Sequence, residues 1–396
     1  MASMLASLRM LRVETILTAM VISMPIMNPF FASIGMDQGQ IGLSQAIFTA
    51  AAFVPNIVFG RMADRFGRKW FNAGGDFLVA SGFVLYAFID SFSGVVFAEV
   101  LIGIGIASTN GVDGPLRQIY CAYLNRKLEH EKALVEIWRP LAEAAGVIFG
   151  GSVGAFAPRF VLGLTALPFV IGGVLSLFLQ EAKIDRIKTN DRRTLKAIQA
   201  TRNLGRIFRY TLHDNHQLKW LTCAYAVGRE ITHSIVWVLV PLMLLAGVPL
   251  TIVGIGWALN LAAASLGSWI AKHYSLKMGE PWRFIVPMIA VLIAMLVLSF
   301  AVTLWSIGLY AVFGLARGWG AAVYEPMIQR HAPLEDQTTI LSVASSLSQL
   351  LYIPLVWGVN SLGNSDIRYV VLGNMLIFLP LVCLVGYKLL HFERKV

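Results

Sequence analysis

Apolar windows of about 20 residues recur along this chain from end to end, and each is long enough for a helix to cross the hydrocarbon core of a bilayer. Backbone N–H and C=O groups in hydrocarbon must be bonded within the protein, so the windows predict helices and not strands. We count twelve windows: Val13–Ile34, Gln40–Gly60, Trp70–Ile89, Ser93–Leu116, Leu134–Phe156, Phe160–Leu179, Lys219–Leu245, Leu250–Tyr274, Arg283–Val302, Leu304–Met327, Thr338–Leu362 and Ile367–Leu390.

Composition supports a helical membrane protein. The chain of 396 residues is 57% hydrophobic and 14% charged, and its mean hydropathy is +0.68. A membrane β-barrel would instead show short segments of alternating polarity. The N-terminal segment runs into the first window without a small-residue cleavage site, so no signal peptide is predicted.

Lysine and arginine are unevenly divided between the two sets of loops. One set, with the adjoining span ends, holds Arg159 and Arg368. The other holds Arg9, Arg12, Arg61, Arg65, Arg68, Lys69, Arg126, Lys127, Lys132, Lys388, Arg394 and Lys395. Basic loops stay cytoplasmic, so both termini are expected in the cytoplasm and the protein in a bacterial inner (plasma) membrane. The net charge of +10 then reflects topology, and we expect no nucleic-acid partner.

One long polar segment divides the windows into six plus six. We therefore predict an N-terminal six-helix bundle at 1–180, a basic cytoplasmic linker at 181–218 and a C-terminal six-helix bundle at 219–396. The linker is either an interfacial helix on anionic headgroups or a solvated tether. A weak internal repeat aligns Gly103 with Gly314 and Pro115 with Pro326 in the fourth and tenth windows.

The loop after the second window reads GRMADRFGRK, with Gly60, Asp64, Arg65, Gly67, Arg68 and Lys69 at the positions of the pattern G-x-x-x-D-R-x-G-R-[RK]. It resembles the signature of the major facilitator superfamily, and is closest in motif to the twelve-helix drug/proton antiporter group. The resemblance implies an all-α integral membrane protein, with twelve transmembrane helices in two six-helix bundles around a small-molecule site. We expect a monomer.

The signature residues also have a physical interpretation. Gly60 lets a neighbouring helix approach, Gly67 permits a tight turn, and Asp64 needs a cation or a helix N-terminus at the membrane edge. The family implies that Asp64 meets the start of the eleventh helix and that Asp113 pairs with the motif arginines, as a cytoplasmic gate. Alternatively, the basic loop only obeys the orientation rule.

Ionisable groups inside a membrane cost about 2.5 kcal/mol or more each, so they are candidates for function. The proton-coupling candidates are Glu99, Glu143, Glu230 and Asp76. The candidates for the substrate cavity are Asn28, Arg139, Arg229, His233, Arg317, Trp237 and Tyr324. Fixed ion pairs are the alternative, namely Arg139 with Glu143, and Glu230 with Arg229 or Arg317.

Two features depart from the antiporter pattern. The fourth window reads Glu99-V-L-I-Gly103-I-Gly105, where drug exporters commonly have R-x-x-x-G-x-G. The charge is reversed, so Glu99 could bind a proton, bind a cationic substrate or pack as a neutral acid. The fifth window carries Gly146, Gly150, Gly151 and Gly154 but lacks the Gly-Pro pair of antiporters. We expect these glycines to pack helices closely.

The sequence therefore predicts a proton-coupled secondary transporter that works by alternating access and exports an amphiphilic organic molecule. Proton-linked transport of an organic anion, such as a metabolite or siderophore, is the alternative, and a receptor that has lost transport is a third. No Walker-type nucleotide motif and no nucleophile–base set occurs, so we expect no enzyme activity. Neither a cofactor nor a metal is predicted, and the three widely spaced cysteines suggest no zinc site.

Overall fold

A computed structural model describes residues 2–181, 204–333 and 336–393. Within these ranges every predicted window is occupied by helix, and no strand occurs. Seven helical segments of the described residues are long and apolar enough to cross a membrane by length and composition. The predicted all-α membrane fold is confirmed.

The chain divides into two compact units. The first comprises Met1–Met36, Leu43–Asn190 and Pro249–Ala258, and the second Asp37–Gly42, Asp191–Val248 and Leu259–Val396. The first six windows contain α1 (Ala2–Thr18), α2 (Met27–Ser33), α3 (Gln38–Phe66), α4 (Arg68–Tyr86), α5 (Phe92–Tyr123), α6 (Leu128–Gly154), α7 (Pro158–Leu164) and α8 (Ala166–Leu177). In the first unit α4 packs against α5 and α8, and α1 packs against α5, α6 and α8.

The described part of the linker contains α9 (Leu204–Arg209), followed by a π-helical turn at Tyr210–Asp214. Most of the predicted interfacial segment lies outside the described residues. The last six windows contain α10 (His216–His233), α11 (Val236–Leu245), α12 (Leu250–Tyr274), α13 (Trp282–Phe300), α14 (Tyr310–His331), α15 (Gln337–Asn360) and α16 (Ile367–Glu393). In the second unit α10 packs against α13, α14, α15 and α16.

The first window is a broken helix. Helix α1 begins at Ala2, ends at Thr18, and is followed by a 3₁₀ turn at Met24–Ile26 before α2. Pro25 lies in that turn and has no N–H to donate to a helical ladder. Within the break, the backbone N–H of Ser23 donates to Thr165 Oγ1 at 3.0 Å. The seventh window is also broken, because α10 ends at His233 and α11 starts at Val236.

The glycines of the fifth window pack α6 against the break in the first. A Cβ on Gly150 would lie less than 3.0 Å from the carbonyl oxygen of Ile22, and one on Gly154 would meet the Ile26 side chain at 2.7 Å. Gly146 is less crowded, since its Cβ would be 3.5 Å from Met20. Close helix packing, as expected from the sequence, is the role these residues have here.

The aligned glycines of the weak repeat make the same contact in each unit. A Cβ on Gly103 would lie 2.7 Å from the carbonyl oxygen of Phe48, so α5 crosses the backbone of α3 closely. Gly314 lies in the same way against the carbonyl oxygen of Asn260, where α14 crosses α12. These are the fourth and second windows of one half and the tenth and eighth of the other.

Candidate functional site

A carboxyl group with several partners lies at the end of α10, just before the break in the seventh window. Glu230 is 1% exposed, and its Oε1 accepts a hydrogen bond from the hydroxyl of Ser348 on α15. His233 Nδ1 lies 3.2 Å from Oε2, and Arg229 Nε lies 3.7 Å from Oε1. We call Arg229, Glu230, His233 and Ser348 the Glu230 cluster.

The basic members of the Glu230 cluster are much less buried than its acid. The side chains of Arg229 and His233 are 44% and 47% exposed. Arg229 Nη1 also donates to the hydroxyl of Tyr225 at 3.1 Å. The cluster therefore joins a buried carboxyl to a guanidinium and an imidazole with open faces, an arrangement that suits proton exchange beside a site for a polar ligand.

Two aromatic rings, those of Tyr352 and Tyr324, pack against α10 near the Glu230 cluster. His233 stacks on Tyr352 with ring centroids 4.5 Å apart and planes at 20°. Tyr324, predicted in the cavity, is 3% exposed and stacks on Phe284 at 4.6 Å. A Cβ on Gly228 would meet its ring at 2.6 Å. Tyr324 thus positions α10, and its contact with a substrate stays a prediction.

The other predicted cavity residues differ in exposure. Trp237 on α11 and Asn28 on α2 are buried, Arg317 on α14 is half-buried, and Arg139 on α6 is exposed. The Glu230 cluster brings together Arg229, Glu230 and His233 from this set.

Glu99 lies in the first unit, 3% exposed on α5. Gln45 Nε2 on α3 donates to its Oε1, and the fully buried Tyr86 lies beside it. An amide donor stabilises the carboxylate, whereas burial disfavours it. Glu99 is therefore enclosed by protein, and Glu143 on α6 is half-buried. Proton binding by either residue stays a prediction.

The signature loop, residues 60–69, ends α3 and starts α4. Gly67 has φ +106°, a conformation that L-residues with a side chain rarely adopt. Glu181 Oε1 lies 3.4 Å from the backbone N of Lys69, in the first turn of α4. Its carboxylate stabilises the helix N-terminus. The sequence indicated no contact for Glu181, which is only the first residue of the predicted linker.

Part of the predicted gate lies outside the described residues, namely the side chain of Asp64 and that of Thr338 at the start of the eleventh window. Arg65 and Arg68 lie exposed and half-buried in the signature loop, and Lys69 Nζ lies 4.8 Å from the centroid of the Trp70 ring. The contact of Asp64 with the eleventh helix stays a prediction.

Asp113 has two polar neighbours in the described part of the first unit. Arg117 Nη2 lies 2.7 Å from its Oδ1, and Thr15 Oγ1 on α1 lies 3.2 Å from the same atom. Arg117, one helical turn further along α5, was not a sequence candidate. Pairing of Asp113 with the motif arginines stays a prediction.

Among the residues that the structure joins to candidates and that the sequence did not single out are Ser348, Arg117 and Glu14. Ser348 gives no chemical signal as a single serine in an apolar window. Arg117 lies just past the predicted end of the fourth window. Glu14 lies at the start of the first window and is 3% exposed, with Asp76 as its neighbour.

Comparison with known proteins agrees with this architecture. A family model described as Major Facilitator Superfamily matches residues 15–354. No curated protein matches the chain. The crystal structure of the nucleoside transporter NupG is similar, with a TM-score of 0.74 and 13% identity over 98% of this chain and 99% of that chain.

A second similar structure is that of a bacterial homolog to the human lysosomal transporter Spinster, in an inward-facing and occupied conformation. Its TM-score is 0.75, with 12% identity over 99% of this chain and 96% of that chain. At such identities the likeness concerns the fold alone. The family match covers most of the sequence, and the chain therefore belongs to the Major Facilitator Superfamily, as a membrane transporter and not an enzyme.

Proposed function

We propose that this chain is a proton-coupled secondary transporter that exports amphiphilic organic molecules by alternating access. The observation that carries the proposal is the Glu230 cluster. A buried carboxyl with a hydroxyl donor and two basic neighbours can hold a proton in one state and an ion pair in another.

The proposed cycle uses competition for the carboxylate of Glu230. When Glu230 is ionised, Ser348, His233 and Arg229 stabilise its charge. When Glu230 binds a proton, the attraction of Arg229 and His233 is lost, and both side chains are free to meet another group. Proton binding and cargo binding at the same cluster are thereby linked, and each changes the affinity for the other.

The orientation and assembly remain as the sequence predicts. We propose a monomer in a bacterial inner membrane with both termini cytoplasmic, on the distribution of Lys and Arg. We also propose that 1–180 and 219–396 form the two transport bundles, joined by a linker at 181–218.

Transport of an organic anion is the second candidate, and the exposure of Arg229 favours it. A guanidinium that is 44% exposed offers a fork of donors that matches a carboxylate or phosphate. A panel of cationic, neutral and anionic cargoes in proteoliposomes separates the two candidates by the charge that is carried.

The experiment for proton coupling compares Glu230→Gln with Glu280→Gln. Glu280 is a matched control because it pairs with Arg330 at 3.6 Å and is 39% exposed. We expect Glu230→Gln to lose accumulation driven by a pH gradient while keeping cargo exchange at zero gradient, and Glu280→Gln to keep both. Full gradient-driven accumulation in Glu230→Gln would reject the cluster as the coupling site.

A further inference from the structure

A second group of acids lies in the first unit, where α1, α4 and α5 pack together. It consists of Glu14, Asp76, Asp113 and the single cation Arg117, and we call it the carboxyl cluster. Glu14, Asp76 and Arg117 are each exposed by 3% or less. Two of the three carboxyl groups are thus buried together with the guanidinium of Arg117.

Glu14 of α1 and Asp76 of α4 lie close together where both helices pack against α8. Both side chains converge on Gly172 of α8, where a Cβ would lie 3.0 Å from Asp76 Oδ2 and 3.3 Å from Glu14 Cγ. Gly172 therefore leaves the space in which the two acids meet.

One oxygen of the buried Asp76, Oδ2, lacks a hydrogen-bond donor among the described residues. An ionised carboxylate only accepts hydrogen bonds, so two ionised groups cannot bond to each other. A proton on either Glu14 or Asp76 supplies the missing donor and removes one of two like charges from a buried site.

The charged groups around Glu14 and Asp76 are bonded to other partners. Arg117 is engaged by Asp113 and by Thr15 Oγ1, each at 2.7 Å from Nη2. Its Nη1 has no acceptor within the described part of the chain. Helix α8 carries no titratable residue, and Glu131 of α6 is held by Arg12 of α1 at 2.6 Å.

We propose that Glu14 and Asp76 hold one proton between them and form a proton-binding site of the first unit, separate from Glu230. Two carboxyl groups that share a site titrate as a pair, with one group protonated over a wide pH range. The described residues contain no group of three His, Cys, Asp or Glu side chains placed to hold a metal ion, which favours a proton over a multivalent cation. The role of this site in transport rests on the proposed function, but its protonation does not.

The experiment is infrared spectroscopy of the full-length protein in lipid at neutral pH, read at the C=O stretch of protonated carboxyl groups. Difference spectra compare the wild type with Glu14→Gln, Asp76→Asn and the double variant. We expect each single variant to lose the signal of one protonated carboxyl, because the new amide donates to the remaining acid and lets it ionise. The double variant should lose no more than either single variant.

Three outcomes would overturn the proposal: no loss in either single variant, a loss of two carboxyl signals in the double variant, or disappearance of the wild-type signal on adding sodium at constant pH. The last would identify a monovalent cation site. Glu131→Gln is the matched control, since it removes a buried acid that is held by arginines and should leave the signal unchanged.

The same variants separate this proposal from the proposed function. If transport proves independent of the pH gradient but the shared signal is present, only the proposed coupling fails. If transport is coupled and the signal is absent, only the shared proton fails.

Discussion

Gly150 lies so close to Ile22 that the carbonyl oxygen of Ile22 occupies the place where a Cβ of residue 150 would be. The contact joins the glycine-rich α6 to the break between α1 and α2. Backbone atoms cannot move aside as the end of a flexible side chain can, so the position requires glycine.

We predict that Gly150→Ala destabilises the protein by about 1–3 kcal/mol or more, through overpacking against backbone. Thermal melting of the purified protein in detergent measures the change. Gly146→Ala is the matched control on the same helix, because its Cβ would make an ordinary contact with Met20 at 3.5 Å. Equal melting temperatures for the two variants would contradict the packing argument.

A second prediction concerns the turn of the signature loop. Gly67→Ala forces a side chain into a backbone with φ +106° and places its Cβ 2.5 Å from Glu181 Oε1. We expect a loss of about 1–3 kcal/mol from the backbone conformation alone. Measured abundance and melting temperature should both fall.

The control for the loop variant is Gly74→Ala in α4. Nothing lies within 4 Å of a Cβ at that position, and alanine is favoured over glycine in a helix by about 0.5–1 kcal/mol. Gly74→Ala should therefore be neutral or stabilising. A stable Gly67→Ala would mean that the loop can adopt another turn.

A third prediction concerns the hydroxyl that bonds to Glu230. Ser348→Ala removes a donor to the carboxylate, and a lost donor favours the protonated carboxyl. The pH at which gradient-driven transport is half-maximal should therefore move upward. Flux measured across a pH series in proteoliposomes gives the midpoint.

Ser299→Ala serves as the control for the hydroxyl, since Ser299 bonds to the Met295 carbonyl of its own helix at 2.8 Å. Its midpoint should match that of the wild type. An unchanged midpoint in Ser348→Ala would show that this hydroxyl has no part in the proton equilibrium.

A fourth prediction concerns pH and stability at the start of α16. Asp366 Oδ1 accepts from the backbone N of Arg368 at 2.8 Å, and hydrogen bonds from Arg368 hold the pKa of Asp366 below its usual value. A lowered pKa in the folded protein gives stability that is present above the unfolded value of about 3.9 and is lost as the pH falls through the folded value.

We therefore expect Asp366→Asn to melt below the wild type at neutral pH, and the difference to shrink below about pH 4. The difference should be small, because Asp366 is close to solvent and asparagine still caps the helix. Asp366→Ala removes the cap as well and should cost about 1 kcal/mol more than Asp366→Asn at every pH. A pH-independent difference for Asp366→Asn would contradict the ion-pair explanation.

Hydropathy predicted which segments are helical, because a bilayer requires a continuous apolar length and internal hydrogen bonds. It did not predict where helices break. Mean hydropathy over the first window does not reveal the break at Ala19–Ser23. The peptide groups of this break contact Thr165 and Gly150, which are distant in sequence.

The sequence predicted only part of the candidate site, because some of its contacts join helices that are distant in sequence. Arg229, Glu230 and His233 stand out as charges in one apolar window, and their contacts are local along α10. Ser348 and Glu14 belong to sites through contacts between helices, and no local pattern reports such a contact. The sequence also does not show how exposed a side chain is. Tyr324 has the residue type of a ligand contact, but it is packed between α10 and α13.

The break at Ser234–Ile235 separates two helices of different composition. Helix α10 ends with the ionisable residues Arg229, Glu230 and His233, whereas α11, which begins at Val236, contains only apolar residues. A bend at this joint would change the direction of the charged end of α10 while α11 keeps its place. Only a few peptide groups would have to change their torsion angles.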